Sequence, residues 1–193
     1  TRYNPADTST AAQVLRMIST KPAAIFVVGS ATPATTPIIE LRNRGYTGPI
    51  YTVMGIAGPD AMRVGGKALD GVLLSGVAVL AAEQLDEASP IKASALRFIS
   101  AYEAKYGPGS RNLFGATMWD SFFLVDAAAK AANAKGAPGT AAFRTGLRDA
   151  MEHVKGMTGA QGLFSLSPAD HSGAEPSSQV MIELRAGGYH LVK

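Results

Sequence analysis

The stretch Ala23–Pro37, AAIFVVGSATPATTP, decides the fold. Residues 23–28 are apolar without alternation, which predicts a strand covered on both faces, as in a parallel sheet flanked by helices. Gly29-Ser30 ends the run. Thr32 then stands where an N-cap belongs and Pro33 at the first helical position, so a helix is expected from Pro33 to about Arg44. Gly45 follows as a left-handed terminator.

Working outward, Ala11, Val14, Leu15 and Ile18 fall on one helical face, with Ser9 or Thr8 as cap and Lys21-Pro22 as the stop. Residues 49–53 (PIYTV) read as a second strand. Gly58-Pro59 opens a short helix through Val64, and residues 71–75 (GVLLS) read as a third strand. Residues 8–75 therefore alternate helix and strand, the rhythm of a βαβ sheet.

After residue 78 the rhythm changes. Ser89-Pro90 opens a long helix with Ile91, Ala95, Phe98, Ile99, Tyr102 and Tyr106 on one side, ended by Gly107-Pro108-Gly109. Residues 117–134 are apolar nearly all round, which predicts a buried helix with Trp119 in the core. A third helix is expected over 139–152, with Phe143, Leu147 and Met151 in step. Residues 179–184 and 189–192 flank Ala186-Gly187-Gly188 as a β-hairpin. The three central helices carry apolar faces, yet residues 79–175 supply almost no strand to bury them against. A sheet contributed by other sequence is implied.

The chain has 193 residues, 47% hydrophobic and 17% charged, with a net charge of +3, which is a globular composition. Its basic residues are scattered, so no nucleic-acid footprint is expected. With no cysteine, disulfides and thiolate chemistry are excluded. No run approaches the ~20 apolar residues of a membrane span.

Catalytic patterns fail in turn. His153, His171 and His190 lack metal-ligand spacing, so neither a metal nor a cofactor is expected. Residues 28–31 (VGSA) are not a G-x-S-x-G elbow around Ser30. Residues 65–71 (GGKALDG) do not match the phosphate-loop order, and no G-x-G-x-x-G follows the first strand. Asp170-His171 lies within turn composition, SPADHSG. Arg42-Asn43-Arg44 reads as a solvated helix end that complements the dipole.

The ordered series "FVVGSATPATTPIIELRNRGYTGPIYTVMGIAGPD", "VGGKALDGVLL", "FISAYEAKYG", "ATMWDSFFLVDAAAKAA" and "GLFSLSPADHSG" resembles the type I periplasmic solute-binding proteins of branched-chain amino-acid ABC transporters. The likeness runs over essentially the whole chain. It implies an α/β fold with a three-layer αβα lobe on a parallel sheet, plus helices of a second, incomplete lobe. Residues 1–78 and 176–193 map to most of the second lobe. Residues 79–175 map to the helical later part of the first, whose sheet belongs to an N-terminal half before Thr1.

The resemblance also implies a site. Members that bind amino acids carry an aromatic ring where Ala31 stands, between Ser30 and Thr32. They carry an acidic residue where Met54 stands, beside Gly55, to pair with the ligand's ammonium. Met54 cannot form that pair, and an unpaired buried ammonium is costly. An organic or aromatic carboxylic acid without an ammonium fits better, with a branched-chain amino acid as the alternative solute if Met54 only fills a core gap and the ligand's charge is met elsewhere. Phe114 matches an aromatic position at the cleft, although a Phe before a helix is more often a staple or core residue. The implied role is the substrate-binding component of an ABC importer, periplasmic or lipid-anchored outside the cytoplasm, not an enzyme. Its partners would be a small solute and a membrane permease. A ligand-sensing module of a receptor or regulator, and an α/β hydrolase or dehydrogenase, are the alternatives.

Overall fold

The computed structural model describes every residue except Pro5, Ala134 and Lys193. The expected helix end at Ala134 therefore lies outside the described residues. The chain divides into two units: Thr1–Gly76 with Val180–Lys193, and Val77–Gln179.

The first unit opens with α1 (Ala11–Ser19), which fully buries Val14. Its cap differs from expectation. Thr10 is the N-cap and its side chain closes no bond, while Ser9 Oγ only accepts from the Ala11 N–H at 3.3 Å. The helix is held by packing, and its N-terminal cap contributes little.

Three parallel strands follow, β1 (Ile25–Val27), β2 (Ile50–Val53) and β3 (Val72–Val77), paired in that order. They are joined through α2 (Ala31–Asn43) and α3 (Pro59–Gly65), which pack on each other. The expectation that β1 is covered on both faces is not met. Ile25 and Val27 are buried, but Phe26 is 62% and Val28 60% exposed, and Tyr51 of β2 is also exposed. The reason is topological. Strands that step sideways in one direction through right-handed crossovers place both helices on the same face. The other face keeps its apolar side chains, and the described residues cover it only in part.

The start of α2 also departs from expectation. The helix begins two residues earlier than its Thr-Pro signal suggests, with Ser30 as N-cap and Ala31 in the left-handed region at φ 52°. Thr32 and Pro33 therefore sit inside the first turn. The C-terminus follows the sequence. Gly45 has φ 78°, its N–H donates to the Arg42 carbonyl at 3.0 Å, and Tyr46 N–H donates to Leu41 at 3.0 Å. That pair of bonds is a Schellman motif, satisfying carbonyls that the helix end leaves open. Arg42 is more than a solvated end: its Nη1 donates to the carbonyls of Tyr46 and Gly48 at 2.8 and 3.2 Å, fastening the turn into β2.

The sheet is completed by β6 (Gln179–Arg185) beside β3, and by β7 (Gly188–Leu191) antiparallel to β6, giving the order β1-β2-β3-β6-β7. The hairpin is as expected, but its turn is the two residues Ala186 and Gly187, with φ 50° and 74°, and Gly188 opens β7 instead of belonging to the turn. The Asp70 carboxylate accepts from the Ala186 N–H at 2.8 Å and ties this turn to the loop before β3.

The second unit begins with a 3-10 helix over Ala78–Gln84, whose first five residues are buried. Next come α4 (Lys92–Tyr106), α5 (Leu113–Ala132) and α6 (Ala141–Glu152). Phe98 of α4 is fully buried at the centre, 5.2 Å from the Tyr102 ring and 5.7 Å from Trp119. Arg111 donates to both Glu83 and Glu103, pinning the loop before α5. That hydrogen bond holds the Glu103 carboxyl below its ordinary value.

The expectation that α5 is buried all round is overturned. Phe114, Met118, Phe122 and Val125 are exposed along one stripe, and Trp119 is only half-buried. An all-apolar helix has more surface than two neighbours can cover, and α4 and α6 cover only part of it. Two short antiparallel strands, β4 (Met157–Thr158) and β5 (Leu163–Phe164), complete the unit. The Asp120 carboxylate, 5% exposed, accepts from the Ala160 and Gln161 N–H groups at 2.6 and 2.9 Å and anchors the turn between those strands to α5. Residues 167–173 form the expected turn, with Asp170 Oδ1 accepting from the N–H groups of Ser172 and Gly173, both at 3.0 Å.

Candidate functional site

Because β1 and β2 are parallel neighbours, the chain leaves both at the same edge of the sheet. Beyond β1 it runs through Val28-Gly29-Ser30 into α2. Beyond β2 it makes a 3-10 turn, Met54–Ile56, before Gly58 caps α3. In open α/β sheets, ligands bind outside such carboxyl ends.

The two loops meet backbone to backbone. A Cβ on Gly55 would lie 2.7 Å from the Gly29 carbonyl oxygen and 3.1 Å from the Ser30 Cα and Cβ. Ser30, Ala31, Thr32 and Gly55 are thus brought together, with Met54, half-buried, next in the chain to Gly55. No side chain caps the first turn of α2, and Pro33 has no N–H, so the backbone donors of that turn are those of residues 30–32. Together with the helix dipole they favour an anionic or acceptor group.

A cavity of about 400 Å³ opens at the β1 loop, lined by Tyr3, Val28, Gly29, Ser30, Ala31 and Pro33. Its walls are mostly apolar, with the hydroxyls of Tyr3 and Ser30 as the polar side-chain groups. The sequence reading did not single out Tyr3. It lies 25 residues from its hydrogen-bond partner Val28, in a polar segment with no periodicity, and no local signal marks it.

Phe114 belongs to the second unit. It is the second residue of α5, not a residue before the helix, and at 66% exposure it is neither staple nor core. Asn112 caps the helix, accepting from the Gly115 N–H at 2.9 Å. The histidines stand apart: His153 Nδ1 lies 2.6 Å from the Asp149 carbonyl, His171 Nε2 lies 3.1 Å from Glu152, and His190 pairs across strands with Glu183.

This arrangement of sheet and helices is the fold of the type I periplasmic binding proteins. The chain is similar to Rp1789 of Rhodopseudomonas palustris (strain CGA009), with 37% identity and a TM-score of 0.94 over 100% of this chain and 54% of that one. It is likewise similar to an extracellular ligand-binding receptor from Rhodopseudomonas palustris HaA2, at 37% identity and TM-score 0.91, covering 98% and 53% of the two chains. A leucine-binding protein from Thermotoga maritima shares the fold at 21% identity and TM-score 0.80, over 99% of this chain and 49% of that one. No curated protein sequence matches. The periplasmic binding protein family matches residues 1–188, and the chain belongs to that family. It spans about half the length of these solved relatives. Among the described residues no helix is long and apolar enough to cross a membrane.

Proposed function

We propose that the chain is part of the substrate-binding component of an ABC importer, which holds a small organic acid and delivers it to a membrane permease from outside the cytoplasm. Residues 1–78 and 176–193 form most of one lobe, and residues 79–175 form the helical part of another. The bare faces around Phe26 and along Phe114, Met118 and Phe122 are covered by further sequence of the same protein. The observation that carries the reading is the apposition of Gly55 with Gly29 and Ser30 at the carboxyl ends of β1 and β2.

The solute's class follows from what lines those loops. Met54 is apolar, Ala31 leaves space, and residues 30–32 offer N–H donors but no carboxylate. A buried ammonium there lacks a partner, whereas an oxygen acceptor finds donors. Binding without catalysis, followed by closure of two lobes on the solute, accounts for this set of groups.

The test is thermal unfolding of the complete protein with benzoate, 4-hydroxybenzoate, leucine or isoleucine. A bound solute at about 100 times its Kd stabilises by about 2.7 kcal/mol. A rise in Tm with an acid is the expected result. A rise with leucine and none with either acid overturns the assignment of solute class. No response to any of the four overturns the site.

A further inference from the structure

We propose that Tyr3 is a specificity-determining residue of this site, its phenol recognising an oxygen at one end of the solute; this rests on the solute-binding reading above. The ring reaches the β1 loop from a segment remote in sequence and lines the same cavity as Val28, Gly29, Ser30, Ala31 and Pro33. Its hydroxyl donates to the Val28 carbonyl at 3.4 Å, beyond the usual range for an O–H donor. That bond is weak, so a well-placed acceptor on a solute can take the proton.

Gly29 makes the placement possible. A Cβ there would lie 2.6 Å from Tyr3 Oη, so any side chain on Gly29 evicts the hydroxyl from the loop. Burial pushes the phenol above its ordinary pKa. It therefore stays protonated at neutral pH, when it can both donate and accept. The other side-chain hydroxyl on the cavity, that of Ser30, belongs to an exposed residue. Among the cavity's side chains Tyr3 thus offers the partly desolvated hydroxyl, and a hydrogen bond to it discriminates more strongly than one made in open water.

The experiment is calorimetric titration of the complete protein, as wild type, Tyr3→Phe and Ser30→Ala, with benzoate, 4-hydroxybenzoate and leucine. The two acids differ by one phenolic oxygen. Wild type is expected to prefer 4-hydroxybenzoate by about tenfold, the size of one hydrogen bond. Tyr3→Phe is expected to abolish that preference by bringing the affinity for 4-hydroxybenzoate down to that for benzoate. A preference that survives in Tyr3→Phe, or one removed by Ser30→Ala instead, overturns the role of Tyr3. Binding of leucine but of neither acid overturns it too, with solute binding itself intact. Silence towards all three removes both readings together.

Discussion

Gly55 stands against the carbonyl of Gly29 so closely that a single added methyl would lie 2.7 Å from that oxygen. The contact is backbone on backbone, so neither partner can rotate away. Gly55→Ala is therefore expected to push the β2 loop off the β1 loop. The cost is about 1–3 kcal/mol of stability, the range for overpacking a fitted contact. Urea denaturation reads the stability and calorimetry the solute affinity. An unchanged affinity would show that the two loops do not act as one site.

In the proposed site Met54 is expected to set the charge preference. Met54→Glu is expected to weaken benzoate and 4-hydroxybenzoate by tenfold or more through like-charge repulsion, and to raise the response to leucine by supplying a partner for its ammonium. Thermal shift with each compound distinguishes this from a general loss of fold, which would lower the Tm of the free protein as well.

Asp120 is the buried carboxylate of the second unit. Burial, the larger effect, raises its pKa above the ordinary 3.8, while its bonds from Ala160 and Gln161 pull the other way. With a native pKa above the unfolded one, its contribution to stability is complete below the unfolded pKa and falls as pH rises through the native value. The stability difference between wild type and Asp120→Asn is thus expected to shift against wild type as pH climbs from 3.8 and to level off above the native pKa. Asp120→Ala strands two backbone donors and is expected to cost about 1–3 kcal/mol for each donor left unsatisfied. Denaturant melts between pH 3.5 and 7, an experimental range spanning roughly the titration of a raised carboxyl, read both effects.

Thr52 of β2 is 1% exposed, and its Oγ1 has no hydrogen-bond partner among the described residues. Replacing an unsatisfied hydroxyl with a methyl of the same shape removes a desolvation cost. Thr52→Val is expected to stabilise the protein by about 1 kcal/mol. A loss of stability would mean that the hydroxyl is engaged in the complete protein.

Local chemistry made several elements legible. Gly45 and the turn at Gly187 were readable because a positive φ selects glycine, whereas Ala186, at φ 50°, carries no such signal. The alternation of apolar runs with Gly-Pro and Thr-Pro signals marked β1 to β3 and the helices between them. The loop of Ser30, Ala31 and Thr32 stood out as a candidate site through the resemblance of the ordered series to the periplasmic binding proteins, and the strand before it fixed only its place at a carboxyl end. The N-cap of α2 was misplaced by two residues. Thr32-Pro33 is a good start signal, but the helix starts at Ala31, which is left-handed, with Ser30 as its N-cap.

The sequence by itself determined the alternating α/β order, the hairpin and the apolar surplus on α5, because each is written in periodicity and turn residues within a few positions. Only the tertiary structure decided that the β1 and β2 loops touch, that Tyr3 reaches Val28, and that Phe26 and Phe114 lie exposed. Those facts depend on which strands become neighbours and on which face the crossovers run, and residues far apart in the chain settle both.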